Sequence, residues 1–305
     1  MELYTQLVVN GITNGAVYGL LAAGFVLVYR ASRVLNFAQA GMGAFGAYVL
    51  FDVMRGTGGG TGRYVTGFVL GVVVAAVIGL LTERLAIRPL RRAPALAPLI
   101  ATVGVLLLLQ TLIILRWGGD LRSIPNPLPR QPWRIGRLVG LDSVVVNQSA
   151  VLILAVMIGL VALLALVVGR TRWGLTIQSI SDNPDGAAGL GVKVGRISGQ
   201  AWALGGAIGA VGSLLAASTS ILNPYALFVV QIKALVVGVF AGLKDLRLCL
   251  IGGPLLGVVE SLAGSRILGH QVAGLSDSVG FFALVAVLLL RAGTITETLG
   301  DTRAS

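Results

Sequence analysis

The sequence predicts an all-α, polytopic transmembrane helix bundle of about eight to nine spans, with one helix a candidate for being broken or re-entrant. Three observations carry this. Only 11% of the 305 residues are charged, 56% are hydrophobic, and the mean hydropathy is +0.91. A soluble domain carries about 25% charge, and a water-facing surface with so few charges would expose large apolar patches. The apolar residues come in continuous runs near the ~20 residues that a helix needs to cross a hydrocarbon core about 30 Å thick. The runs do not alternate with period two, which excludes a transmembrane β-barrel. Residues 1–305 read as a single transmembrane domain.

The same composition removes other classes. Cys249 is the single cysteine, so it has no disulfide partner in the chain. With one histidine, His270, it cannot make a zinc or haem ligand set. The net charge of +11 invites a nucleic-acid reading. The basic residues, however, fall between apolar runs rather than along one amphipathic face, as loop arginines of a membrane protein do. The expected partner is a lipid bilayer and not a nucleic acid.

The first span, about 6–29, follows Met1-Glu2 with no basic segment and is long for a signal peptide, so a retained helix is expected. It carries Asn10 and Asn14, and glycines at 11, 15 and 19, a spacing that lets helices approach closely. The second, 34–54, holds Asn36, Gln39 and the string Gly41-Met42-Gly43-Ala44-Phe45-Gly46. That string matches G-x-G-x-x-G, but a dinucleotide site needs it between a strand and a helix, and no such unit surrounds it. The third span, 64–83, runs into a basic loop, 84–92. The fourth, 97–115, contains Gln110 and leads into a loop of about 116–147. Prolines at 125, 127, 129 and 132 mark that loop as irregular and external. The fifth, 148–168, starts beside Asn147-Gln148-Ser149, a glycosylation sequon by string only. After the inner loop 170–196, the sixth span, 197–217, carries Gln200. The seventh and eighth, 227–243 and 248–265, are short and Gly-rich, so one of them is the candidate broken or re-entrant helix; they hold Gln231, Lys233 and Glu260. The ninth is 277–291.

Nine spans put the termini on opposite sides. With the N-terminus outside, inner loops carry 14 Lys and Arg residues and outer segments 8, the bias expected of cytoplasmic loops. Polar side chains at membrane depth cost free energy against lipid and should face the bundle interior. Helix–helix hydrogen bonding is one role for them. As a set they also suggest a polar route, with Asn14, Asn36, Gln39, Gln110 and Gln231 as its candidate lining. Few are charged, which suits a net-neutral solute better than an ion.

The inner loop is too polar to span. Asp182 is placed to cap a short helix from Pro184, with Gly189 and Gly191 to stop it. Such a helix, lying along the inner surface, could dock on a cytoplasmic partner; a plain surface loop is the alternative. No G-x-x-x-x-G-K-[ST], G-x-S-x-G or H-E-x-x-H string occurs. The chain therefore reads as no enzyme, with no catalytic residues, no metal and no cofactor of its own. Any ATP would be bound by a partner subunit.

The stretch Asn14–Arg30 resembles the first helix of the branched-chain amino acid ABC transporter permeases, the Liv-type inner-membrane subunits. Val34–Tyr48 is similar to that family's N-F-A-x-G-x-x-x-x-x-G-A-Y stretch, with Gln39-Ala40 in place of His-Gly. Glu83-Arg84…Arg88-Pro89-Leu90-Arg91 and the T-x-x-G…N-P-D-x-A-x-x-x-G-V form of 171–192 match as well. Two departures, Gln178-Ser179 for Arg-Ala and Lys244-Asp245 for Gly-Ser, bear on substrate or partner contact rather than fold. The resemblance implies a multi-pass permease domain of the cell (inner) membrane that moves an amino acid, foremost a branched-chain one. Its implied partners are a second homologous permease subunit, two cytoplasmic ATP-binding subunits and an extracytoplasmic solute-binding protein. It implies coupling to the ATPases through the 170–196 loop, with Gly174, Asp182, Asn183, Asp185, Gly191 and Lys193 as the residues concerned. Members of the family also carry urea, short amides and other amino acids. A stand-alone secondary transporter is the alternative from outside it.

Overall fold

The structure, a computed structural model, describes residues 2–55, 60–124, 145–219 and 221–264, together with positions 278, 282, 283, 285 and 286. Most of the expected ninth span and of the 116–147 loop lies outside these residues. The helices are α1 (Glu2–Ser32), α2 (Gln39–Met54), α3 (Thr61–Thr82), α4 (Leu96–Trp117), α5 (Gln148–Arg170), α6 (Arg172–Asp182), α7 (Pro184–Gly189), α8 (Val194–Thr219), α9 (Ala226–Phe240) and α10 (Leu246–Ala263). Six of them, α1, α3, α4, α5, α8 and α10, are long and apolar enough to cross a membrane; α9 holds a shorter apolar helix, Phe228–Phe240, and α2 is a mostly buried helix of 16 residues. Together these are the first eight expected spans.

α1 and α8 form the centre. In α1, 83% of the most apolar stretch is buried, against 28% in α5. α3, α4, α5 and α10 turn leucines such as Leu107, Leu115, Leu163 and Leu255 outward, as a lipid-facing ring does. The turns of the chain alternate between two ends. One gathers Arg30, Arg33, Arg84, Arg88, Arg91, Arg92, Arg170, Arg172, Lys193, Arg196, Lys244 and Arg247, and is the inner end by its basic excess.

The glycines with helical spacing mark close backbone approach. α1 packs on α10 more extensively than any other pair. A methyl group on Gly15 would sit 2.6 Å from the Cα of Pro254, and one on Gly257 would sit 2.6 Å from the backbone N of Gly15. Gly46 and Gly71 play the same part between α2 and α3. The broken segment is elsewhere than expected. α10 runs unbroken through Pro254, and α9 is one continuous helix. The interruption lies between α1 and α2: Arg33, with φ 57°, ends α1, and α2 starts only at Gln39 rather than near residue 34.

Candidate translocation site

A cavity of about 440 Å³ opens among the outer halves of α1, α5, α8 and α9. α1 presents Asn10, Thr13, Asn14 and Tyr18 to it, because residues three, four and eight apart share one helix face. Asn147 and Ser149 line it from the start of α5, and Val230 from α9. Gln6 holds the two walls together: its Nε2 donates to Val145 O (3.1 Å) and to Asn10 Oδ1 (3.0 Å), and its Oε1 accepts from the Val145 amide (2.8 Å). From Val9 to Tyr18 the lining descends about 13 Å along α1, at about 1.5 Å per residue. The mix of amides, hydroxyls and valines suits a small solute with a polar and an apolar part.

Of the five residues read as pathway lining, Asn14 is on this cavity. Asn36, Gln39 and Gln231 meet in the bundle interior, around the segment that joins α1 to α2, and all three are buried. Gln39 Nε2 donates to Leu21 O at 2.9 Å. Leu21 lies about 16 Å up α1 from its inner end, so the connection folds back into the bundle before α2 begins. Non-helical backbone at membrane depth needs partners from the protein, and two side chains supply them. Gln231 Nε2 donates to Phe37 O (2.6 Å) and Asn36 O (3.2 Å), its Oε1 accepts from the Ala40 amide, and Thr102 Oγ1 accepts from the Phe37 amide (3.3 Å). The amide oxygens of Asn36 and Gln39 and the Ser213 hydroxyl are buried with no hydrogen-bond partner among the described residues. Gln110 sits apart, buried on α4.

Beside Tyr18 lies a charged pair. The ammonium of Lys233 on α9 binds Oε1 of Glu260 on α10, and the Tyr18 hydroxyl donates to Glu260 Oε2 at 3.0 Å. Lys233 Nζ also lies 5.6 Å from the centre of the Tyr18 ring. The pair answers how Lys233 is tolerated at this depth. Its two members are 27 residues apart on different helices, so the sequence alone showed each charge but not their meeting.

At the inner end, the loop 170–196 forms two helices rather than one. α6 is capped by Thr171, whose Oγ1 accepts from the Gly174 amide at 3.1 Å. The cap of α7 is Asn183, whose Oδ1 accepts from the Gly186 amide at 2.8 Å. Asp182, expected in that role, is instead the last residue of α6, one position too early for its carboxylate to reach the free amides of α7. Gly191, with φ +85°, stops α7: the Gly191 amide bonds Ala188 O (2.9 Å) and the Val192 amide bonds Ala187 O (3.1 Å). Gly174 is buried, and a side chain there would collide with the Val168 backbone. Asp182, Asn183, Asp185, Gly191 and Lys193 are exposed, and so is Leu190 at the tip of the turn.

Two contacts tie this face to the bundle. The Arg33 guanidinium donates to Ser181 O, joining the end of α6 to the α1–α2 connection. The buried Glu83 accepts from Arg88 (2.8 Å) and Arg91 (2.6 Å), and Arg88 also donates to Gly195 O (2.8 Å) at the start of α8. Trp173 Nε1 donates to Gln200 Oε1 at 2.9 Å, which places the expected span residue Gln200 on the α6–α8 contact.

Residues 7–290 match the family described as "Branched-chain amino acid transport system / permease component". The chain is 30% identical over 298 residues to the high-affinity branched-chain amino acid transport system permease protein BraD of Pseudomonas aeruginosa, covering 94% of each chain. It is 29% identical over 293 residues to the corresponding LivH protein of Escherichia coli, covering 94% of this chain and 93% of that one. Among solved structures it is similar to PsaBC from Streptococcus pneumoniae in complex with Fab, with a TM-score of 0.47 and 14% identity over 95% of this chain and 91% of that one.

Proposed function

This chain belongs to the branched-chain amino acid transport permease family, and from that membership we propose that it is one membrane subunit of an ABC importer that carries an amino acid, foremost a branched-chain one, into the cell. It is a multi-pass membrane protein of a permease family, which is not an enzyme family. In the proposed assembly a second homologous permease subunit completes the pathway. Two cytoplasmic subunits bind and hydrolyse ATP, a solute-binding protein delivers from outside, and the complex sits in the cytoplasmic membrane. This chain binds no ATP and needs no cofactor.

The observation that carries this reading is the pairing of an outward-opening polar cavity with an exposed helical surface at the opposite, basic end. The solute enters beside Asn14 and passes Tyr18. The unpartnered amide oxygens of Asn36 and Gln39, next to Gln231, supply polar contacts further in, where a rearrangement of the α1–α2 connection opens the way; Gln110, in the outer half of α4, lines the path before them. The exposed Asp182, Asn183, Asp185, Gly191 and Lys193 receive the push of the ATPase, with Gly174 keeping α6 close against α5. The link from Ser181 through Arg33 supports a route for that push into the α1–α2 connection. ATP can bias the bundle between two states only if those states contact the ATPase differently, so the docking surface is where coupling is decided.

The test is coupling in reconstituted vesicles. Asp185→Arg and Gly191→Trp alter the exposed surface without touching the bundle, and are expected to leave ATP hydrolysis running while uptake per ATP falls at least about tenfold, a change of ~1.4 kcal/mol in coupling. Unchanged coupling in both variants overturns the coupling assignment. A single chain that transports without any ATPase overturns the importer reading.

A further inference from the structure

The Lys233–Glu260 pair has a cost that the fold does not need to bear. Two charges held in a low-dielectric interior lose hydration that their attraction regains only in good geometry, and a well-packed apolar pair in their place is often as stable or more so. The pair is not required to bring α9 and α10 together, because α10 already packs closely on α9 at Gly252, where an added methyl would sit 2.8 Å from Phe240 and 3.2 Å from Val237, and on α1 through Gly15, Gly253 and Gly257. Ionisable residues in a membrane interior mark a pathway or a ligand counter-charge more often than a brace. The position fits that rule. Tyr18 is the deepest α1 residue on the cavity wall, its hydroxyl is bonded to Glu260, and Lys233 lies against its ring. Val230, which also lines the cavity, is one turn of α9 above Lys233.

We infer that Lys233 and Glu260, joined beside Tyr18 behind the cavity wall, are specificity-determining residues that take a zwitterionic α-amino acid by exchanging their mutual contact for its carboxylate and ammonium groups. With no solute present, each charge satisfies the other. When the solute arrives, its carboxylate pairs with Lys233 and its ammonium with Glu260, so no charge is left alone in either state. A solute with only one of the two groups leaves Lys233 or Glu260 buried and unpaired. Tyr18 moves with Glu260, which opens the wall between cavity and pair. The valines beside the pair, Val17 and Val230, meet the side chain.

The inference rests on the amino acid permease reading. Its test uses the purified membrane complex without solute-binding protein, so that any selectivity belongs to the membrane part. Thermal stability is followed against leucine, isopentylamine and 4-methylpentanoate, which share one carbon skeleton and differ in carrying both charges or one. A ligand that binds the folded state raises the midpoint by an amount that grows with the logarithm of its concentration relative to Kd. In the wild type, leucine is expected to act at a concentration about tenfold or more below either analogue, because only it pairs both buried charges. In Lys233→Met/Glu260→Gln, and in the second neutral variant Lys233→Gln/Glu260→Gln, that preference is expected to shrink to within about twofold. A wild type that answers all three compounds alike overturns the inference, as does either assembled neutral variant that keeps the preference for leucine. A wild type that prefers leucine and loses the preference in the variants, yet transports with no ATPase, sustains the inference and overturns only the importer reading.

Discussion

Replacing Gln231 with leucine is expected to remove nearly all folded protein from the membrane, although the two side chains are close in size. The loss is one of hydrogen bonds and not of volume. Gln231 serves three backbone groups at once, the Ala40 amide and the Asn36 and Phe37 carbonyls, in a segment buried away from water and lipid headgroups. Leaving a buried donor or acceptor unsatisfied costs about 1–3 kcal/mol for each group. The Asn36 carbonyl keeps the Gln39 amide at 3.2 Å, so two groups are stranded, at least ~2 kcal/mol, against a total stability of about 5–15 kcal/mol for a typical domain. Gln110→Leu is the matched control, since Gln110 is also a buried glutamine but holds no backbone of this connection. The measurement is the amount and thermal midpoint of purified protein. A Gln231→Leu protein that purifies and melts as the wild type does would mean that the connection is not held in this way.

That connection also marks where the sequence stopped being legible. Apolar runs place helices to within a few residues, as for the fifth span, expected at 148–168 and found as Gln148–Arg170. Helix length and lipid thickness are local constraints that a run of apolar residues must meet. The expected start of α2 is too early because Val34 and Leu35 are apolar and continue the apolar run. What ends α1 there is a left-handed Arg33, and what holds 34–38 are Gln231 and Thr102, partners far away in sequence. The same limit applies at the charged pair: the composition exposed Lys233 as costly, but only the fold brings Glu260 and Tyr18 to it. In the inner loop Asp182 is the expected cap, and the neighbouring Asn183 is the cap found. The choice fell to Asn183 because α6 continues through Asp182, on an apolar face of Trp173, Ile177 and Ile180. Of the cavity, the α1 wall was readable from Asn10 and Asn14 at one helical spacing. The opposite wall comes from Asn147 and Ser149, which lie at the end of a loop and carry no periodic signal.

Gly257→Leu is expected to be as damaging as the loss of Gln231, by the opposite physical route. Nothing polar is stranded; the helices are forced apart. Even a single added carbon at Gly257 lies 2.6 Å from the Gly15 amide nitrogen and 2.7 Å from its Cα, and the obstacle is helix backbone, which cannot rotate out of the way. Overpacking a well-filled interior costs about 1–3 kcal/mol when side chains can give, and more when they cannot. In a membrane the helices gain no hydrophobic drive to close again, because lipid is as apolar as leucine; association rests on close packing. A separation at this seam also reaches the polar site, since Tyr18 rides on α1 and Glu260 on α10, one turn beyond Gly257. Gly159→Leu provides the comparison. Gly159 lies in the interior of α5, exposed, with nothing within 4 Å of an added carbon, so leucine there only adds surface for lipid. Gly257→Ala should fall between the two. Thermal midpoints should therefore descend from Gly159→Leu through Gly257→Ala to Gly257→Leu, and the last should also weaken any preference for leucine over its single-charge analogues. Equal midpoints for the Gly159 and Gly257 leucine variants would show that α1 and α10 do not pack this closely.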